Sequence, residues 1–65
     1  MARTWHFICT CGTWTWETVD DRGETVRHSE RFHRRYTECL MDALNAGYDH
    51  DEPTEHLFYD TPGIG

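Results

Sequence analysis

Three cysteines, five histidines and a run of arginines are the side chains of this 65-residue sequence whose types could carry chemistry. Cys9 and Cys11 stand one residue apart and would offer two thiolates to a metal. A tetrahedral zinc needs about four such ligands, usually as two pairs. Cys39 is remote in sequence, and His6, His28, His33, His50 and His56 form neither an H-x-x-x-H nor an H-E-x-x-H pair. With no second pair, neither a metal nor a cofactor is expected. The thiols read as packed or idle, with Cys9 a small core residue. A bridge between Cys11 and Cys39 is disfavoured in a reducing compartment. No spacing sets a nucleophile beside its base, so the chain does not read as an enzyme.

Arg27, Arg31, Arg34 and Arg35, with His28 and His33, gather where a strand pattern gives way to a helical one. Guanidinium groups suit bidentate contacts to phosphate or carboxylate, and free N–H groups at a helix start add anion affinity. Anion or nucleic-acid binding through these four arginines is therefore the alternative reading. The charge balance opposes it. Twelve acidic residues face six basic ones, all arginine, for a net charge of −6. Nucleic-acid binding needs clustered positive charge, so pairing of these arginines with acids of the protein or its dimer is favoured. Trp5, Trp14 and Trp16 would form a base-stacking platform only if they faced solvent. They share strand parity with Phe7, Cys9 and Val26, which places them in the core.

The elements that position these groups follow from periodicity. Residues 4–10 and 13–19 alternate as strands, with a tight connection near Cys11-Gly12. Asp20-Asp21-Arg22-Gly23 reads as a hairpin turn. Residues 24–29 form a third strand, with Val26 its clearest buried position. The period then changes from two to about 3.6. Tyr36, Cys39, Leu40, Ala43, Leu44 and Gly47 share one helical stripe, so a helix is expected from Arg34 to Asn45, with Gly47 just past its end. The fold class is α+β: a three-stranded antiparallel sheet, in the order β-β-β-α, covered by one helix. Residues 1–47 make this domain. Residues 48–65 form an acidic tail with five carboxylates and no arginine, partly flexible or docked through Leu57-Phe58-Tyr59. The sheet face away from the helix is Thr-rich, with Ile8 and Val19 exposed on it as candidate dimer contacts.

Trp14-x-Trp16, Gly23-Glu24-Thr25-Val26, Ser29-Glu30-x-Phe32 and the helix with Cys39 and Ala43 inward resemble the YegP-type family of small bacterial domains. That family shows aromatic-x-aromatic, a turn ending in Asn-Gly, a short strand with Ile or Val, and Ser-x-x-Tyr or Phe before a helix. The resemblance covers about half the chain. His33-Arg34-Arg35, a one-residue insertion in the helix and the acidic tail depart from the pattern. Members often carry two tandem copies of the unit and this chain carries one. The resemblance therefore implies a single ββα unit that pairs with another chain, and it implies no enzyme activity.

Size points the same way. A domain of about 60 residues buries only about 60% of its unfolded surface and is marginal alone. A homodimer is the expected partner state. The odd cysteine count and the absence of a signal-like apolar stretch at Met1-Ala2-Arg3 suggest a cytoplasmic protein. No apolar run approaches the 18 residues of a membrane span, so no membrane contact is expected.

Overall fold

Alternating aromatic and β-branched residues build two long strands, β1 (Thr4–Thr10) and β2 (Thr13–Val19). Residues 3–59 are described by the computed structural model. Thr10 pairs with Thr13, so Cys11 and Gly12 alone make the turn. Both have positive φ, 53° and 80°, the twist that suits a two-residue hairpin. At the next turn the Asp20 carboxylate accepts the N–H groups of Arg22 and Glu24 at 2.9 and 3.0 Å. The chain then enters β3 (Thr25–His28), helix α1 (Tyr36–Asn45) and β4 (Thr54–Tyr59).

The architecture is α+β, with one helix on one sheet, but the sheet has four strands in the order β3-β2-β1-β4. It is mixed: β4 runs parallel to β1, from Trp5 opposite Thr54 to Thr10 opposite Tyr59. The expected three-stranded antiparallel sheet is corrected accordingly. Leu57-Phe58-Tyr59, read as a docking cluster in a tail, is the end of a strand. The boundary expected at residue 47 falls inside the fold, because the strand that follows pairs with the first one. The last six residues of the expected tail lie outside the described residues.

Register decides which side chains meet the helix. Trp5 pairs with Thr18, Phe7 with Trp16 and Cys9 with Trp14, so these six share a face. The core comprises Trp5, Phe7, Trp16, Cys39 and Ala43, with Trp14, Tyr36, Leu40, Ala46 and Tyr48 packed around it. Tyr48 sets its ring edge-on to both Trp5 and Phe7, at 5.0 and 5.3 Å between centroids. Val26 is not part of this core and is 61% exposed. A bulge between Thr18 and Val19 sets Thr25 opposite Val19 and Arg27 opposite Thr18. It therefore turns Arg27, not Val26, toward the helix. On the other face Val19 is only 9% exposed and Ile8 is half-buried, so neither is the open apolar residue expected.

The helix starts two residues later than its periodicity suggests, with Arg35 as N-cap and no side-chain cap bond. Its end is explicit. Gly47 at φ 107° donates to the Leu44 carbonyl, and Tyr48 N–H reaches back to the Ala43 carbonyl at 2.9 Å. This paired closure needs a left-handed residue, which glycine adopts without a Cβ clash. No helix among the described residues is long and apolar enough to cross a membrane.

A carboxylate just before β4 adds to its backbone pairing with β1. Glu52 accepts from Arg3 Nε at 2.7 Å, from the buried Trp5 indole N–H at 3.0 Å and from Asp49 N–H at 3.2 Å. The Arg3 guanidinium also lies 5.0 Å over the Trp5 ring. The hydrogen bond from Arg3, with lesser ones from Trp5 and Asp49, holds the Glu52 carboxyl below its ordinary range. A carboxylate more acidic in the folded than in the unfolded state stabilises the fold above its unfolded pKa. That contribution is lost as pH falls through the folded value.

Two outcomes are expected. Phe7→Ala should cost about 3–5 kcal/mol, comparable with the whole stability of a small domain; urea unfolding would show little or no folded baseline. Glu52→Gln should lower stability by on the order of 1 kcal/mol at neutral pH. It should also flatten the loss of stability as pH falls from neutral into the acid range. Parallel pH profiles for parent and variant would contradict the role given to Glu52.

Candidate functional site

The four arginines do not form one patch. Arg27 crosses the sheet face toward the helix: its guanidinium lies 5.8 Å over the Trp16 ring and Nη1 donates to the Ala46 carbonyl at 3.0 Å. The C-terminal end of α1 exposes carbonyls, so a cation belongs there. Arg31 follows a short loop later. Both arginines line a cleft of about 270 Å³ whose other walls include Trp16, Glu30, Asp42 and Asn45. Arg34 and Arg35 stand exposed at the opposite end of the helix and do not line the cleft.

Asp42 sits in this cleft, off the helical stripe that periodicity marks, and so escaped sequence reasoning. Its Oδ2 accepts from the Trp16 indole N–H at 3.0 Å and contacts His33 Nε2 at 3.1 Å. The Trp16 hydrogen bond first, then His33 and the Arg31 charge, hold the Asp42 carboxyl below its ordinary range against the opposing effect of burial. A buried indole N–H needs an acceptor, and that need was the available signal. His33 is held in place by a bridge to Trp14, with backbone bonds of 2.6 and 2.8 Å. Ser29 ties the same segment to β2 through its N–H to the Trp16 carbonyl at 2.8 Å.

The cysteines are separated. Cys11 is exposed in the first turn, Cys9 is half-buried and Cys39 is fully buried. Burial, with a smaller effect from Asp42, pushes the Cys39 thiol up to about 12, which leaves almost no thiolate at neutral pH. Among the described residues no three or more His, Cys, Asp or Glu side chains are placed to hold a metal ion. His6 lies on the face away from the helix between Glu17, at 3.2 Å, and Glu55, at 3.8 Å. His56 stacks on Phe7 at 5.6 Å and meets the Tyr36 hydroxyl at 3.0 Å.

The two sheet edges differ. β3 is four residues long, follows a bulge and carries Arg27 and His28, features that blunt an edge. β4 is six residues long and regularly paired to β1. Trp5 N–H bonds the Pro53 carbonyl at 2.9 Å. Parallel pairing then uses the backbone of Glu55, Leu57 and Tyr59 inward and leaves that of Thr54, His56 and Phe58 outward. Phe58 is 70% exposed and Tyr59 57% exposed at this edge. The Phe58 ring packs edge-on to half-buried Trp14 at 5.6 Å, which in turn meets Tyr36 at 4.9 Å.

Comparison of the chain with protein-family models, with curated proteins and with solved structures finds no match in any of the three.

The cysteine environments set an expected order of modification. Iodoacetamide at mildly alkaline pH should label Cys11 in the native protein, while Cys39 stays protected until denaturant is added. Peptide mass mapping reads this. Equal native and denatured labelling rates at Cys39 would contradict its enclosure.

Proposed function

We propose that this chain is a non-catalytic, cytoplasmic interaction module that works as a homodimer, joined through the outer edge of β4. The observation that carries the reading is the contrast between the two sheet edges. One is short, bulged and charged. The other presents three outward backbone positions beside an exposed phenylalanine and tyrosine. An open edge of this kind accepts another strand.

Two-fold symmetry about Leu57 suits the side chains best. Antiparallel pairing there sets His56 opposite Phe58 of the partner subunit, Leu57 opposite its own copy and Tyr59 opposite Glu55 of the partner subunit. Such a contact is self-complementary, as a two-fold interface must be, and aromatic cross-strand pairs favour it. Pairing about His56 would instead set two imidazoles against each other and Glu55 against Leu57. The resemblance of residues 14–43 to units that often occur in tandem supports the same reading, as does the small core. Nucleic-acid binding through Arg27, Arg31, Arg34 and Arg35 has less support. The four are divided between two ends of the helix, and the net charge is −6.

Light scattering of the full chain tests the proposal. A dimer mass is expected at about 100 μM. Phe58→Lys should shift the mass to monomer while far-UV circular dichroism stays unchanged. Phe58→Pro, which removes one outward N–H, should do the same. A monomer at every concentration, or a dimer unaffected by both substitutions, would overturn the reading.

A further inference from the structure

The cleft between β3, the loop after it and the C-terminal half of α1 is independent of the β4 edge, and its charges are arranged unusually. Cations and anions line it together: Arg27 and Arg31 on one side of the balance, Glu30 and Asp42 on the other. Opposite charges around a small concavity ordinarily close on each other. Here Arg31 and Glu30 make no side-chain hydrogen bond and no ion pair within 4.0 Å to any described residue. Asp42 uses only Oδ2, which is engaged by Trp16 and His33. Its other oxygen bonds no described residue.

Neither sign alone fits this lining. A bare oxyanion at Arg31 would meet two carboxylates, and Asp42 stays ionised at neutral pH because the Trp16 N–H holds its carboxyl below the ordinary range. A bare cation at those carboxylates would meet two guanidinium groups. A molecule carrying both charges a few bonds apart satisfies both sets at once. The volume, about 270 Å³, falls just below the range of drug-sized ligand sites, roughly 300 Å³ upward, and limits the ligand to a few heavy atoms. Trp16, only 3% exposed, is part of the lining, and Arg27 is tied to the Ala46 carbonyl by its hydrogen bond.

We propose that this cleft binds a small zwitterion of the α-amino-acid class. Its carboxylate is taken by the guanidinium of Arg31, and its ammonium is shared by Glu30 and the open oxygen of Asp42. The Arg31 fork matches a carboxylate in two parallel hydrogen bonds. The Asn45 carboxamide at the rim adds a donor or acceptor. Binding is weak, in the millimolar range, because the cleft is open to water and both ion pairs are screened.

The Trp16 indole N–H is a built-in reporter, since it bonds the same carboxylate. Two-dimensional NMR of the assigned full chain at low salt would follow it during titration with L-alanine, acetate, methylammonium or inorganic phosphate. L-alanine should give a saturable shift of the Trp16 indole and Asn45 side-chain signals. Acetate and methylammonium, each able to meet only half the site, should bind at least about tenfold more weakly. Arg31→Gln should remove saturation and leave the fold in place, because that side chain makes no hydrogen bond to any described residue and acts on Asp42 only through its charge. Glu30→Gln should weaken binding by a smaller factor, about threefold. Acetate or phosphate saturating as readily as L-alanine would make this a simple anion site and overturn the proposal. An absence of saturable shift with L-alanine, or a titration unaltered in Arg31→Gln, would overturn it too.

Discussion

A helix of ten residues is about 15 Å long and 10 Å wide, while four strands spaced by about 4.8 Å make a wider sheet. One helix therefore cannot roof the whole of one face, and the rest of the molecule is arranged around that shortage. α1 packs over β2 and brings Cys39 and Ala43 down onto Trp16. Elsewhere rings replace backbone. Tyr48 comes off the helix end to close over Trp5 and Phe7, and Tyr36 at the helix start closes over Phe7 and Trp14. Aromatic groups suit this task, because each buries a large area while fixing few torsions. Guanidinium groups finish the flanks, Arg3 over Trp5 and Arg27 over Trp16.

The open margins follow from the same shortage. On β4 the helix-side residues are Thr54, His56 and Phe58; Tyr36 of α1 reaches His56, and Phe58 beyond it stays mostly in water. On the opposite flank, the gap between β3 and the helix end becomes the charged cleft. The two candidate sites are thus the two places where the cover runs out. One is apolar with free backbone, the other polar with unclosed charges. Their chemistry differs because different residues stand at the two margins, not because a separate element was added for either.

The sequence showed most of what is local. Strands β1 and β2, both turns, and the helix to within two residues are legible, because alternation, positive-φ residues and a 3.6-residue period each leave marks on neighbouring positions. Trp5, Phe7 and Trp16 were identifiable as core for the same reason. β4 was hidden. Its apolar residues Leu57, Phe58 and Tyr59 are consecutive instead of alternating, and Pro53 with the surrounding acids resembles a tail. What makes it a strand is the bonding row of β1, some fifty residues away. Val26 was misassigned because a single bulge reverses the facing of β3, and no local pattern announces a bulge. The same bulge selects Arg27 for the cleft, so which arginines cooperate could not be read from their clustering.

The parallel contact of β4 with β1 also bears on how the chain reaches its native form. Glu52 and Arg3 are separated by 49 positions, and β1 must be extended before β4 has a row to join. Local hairpins form within microseconds, whereas contacts across such a loop carry a closure entropy and come late. Until then the Trp5 indole lacks its carboxylate and the outer row of β1 is bare. Without β4, β1 would be the uncapped, aromatic-rich edge of the sheet. The final zippering of β4 both completes the native sheet and moves the reactive border one strand outward.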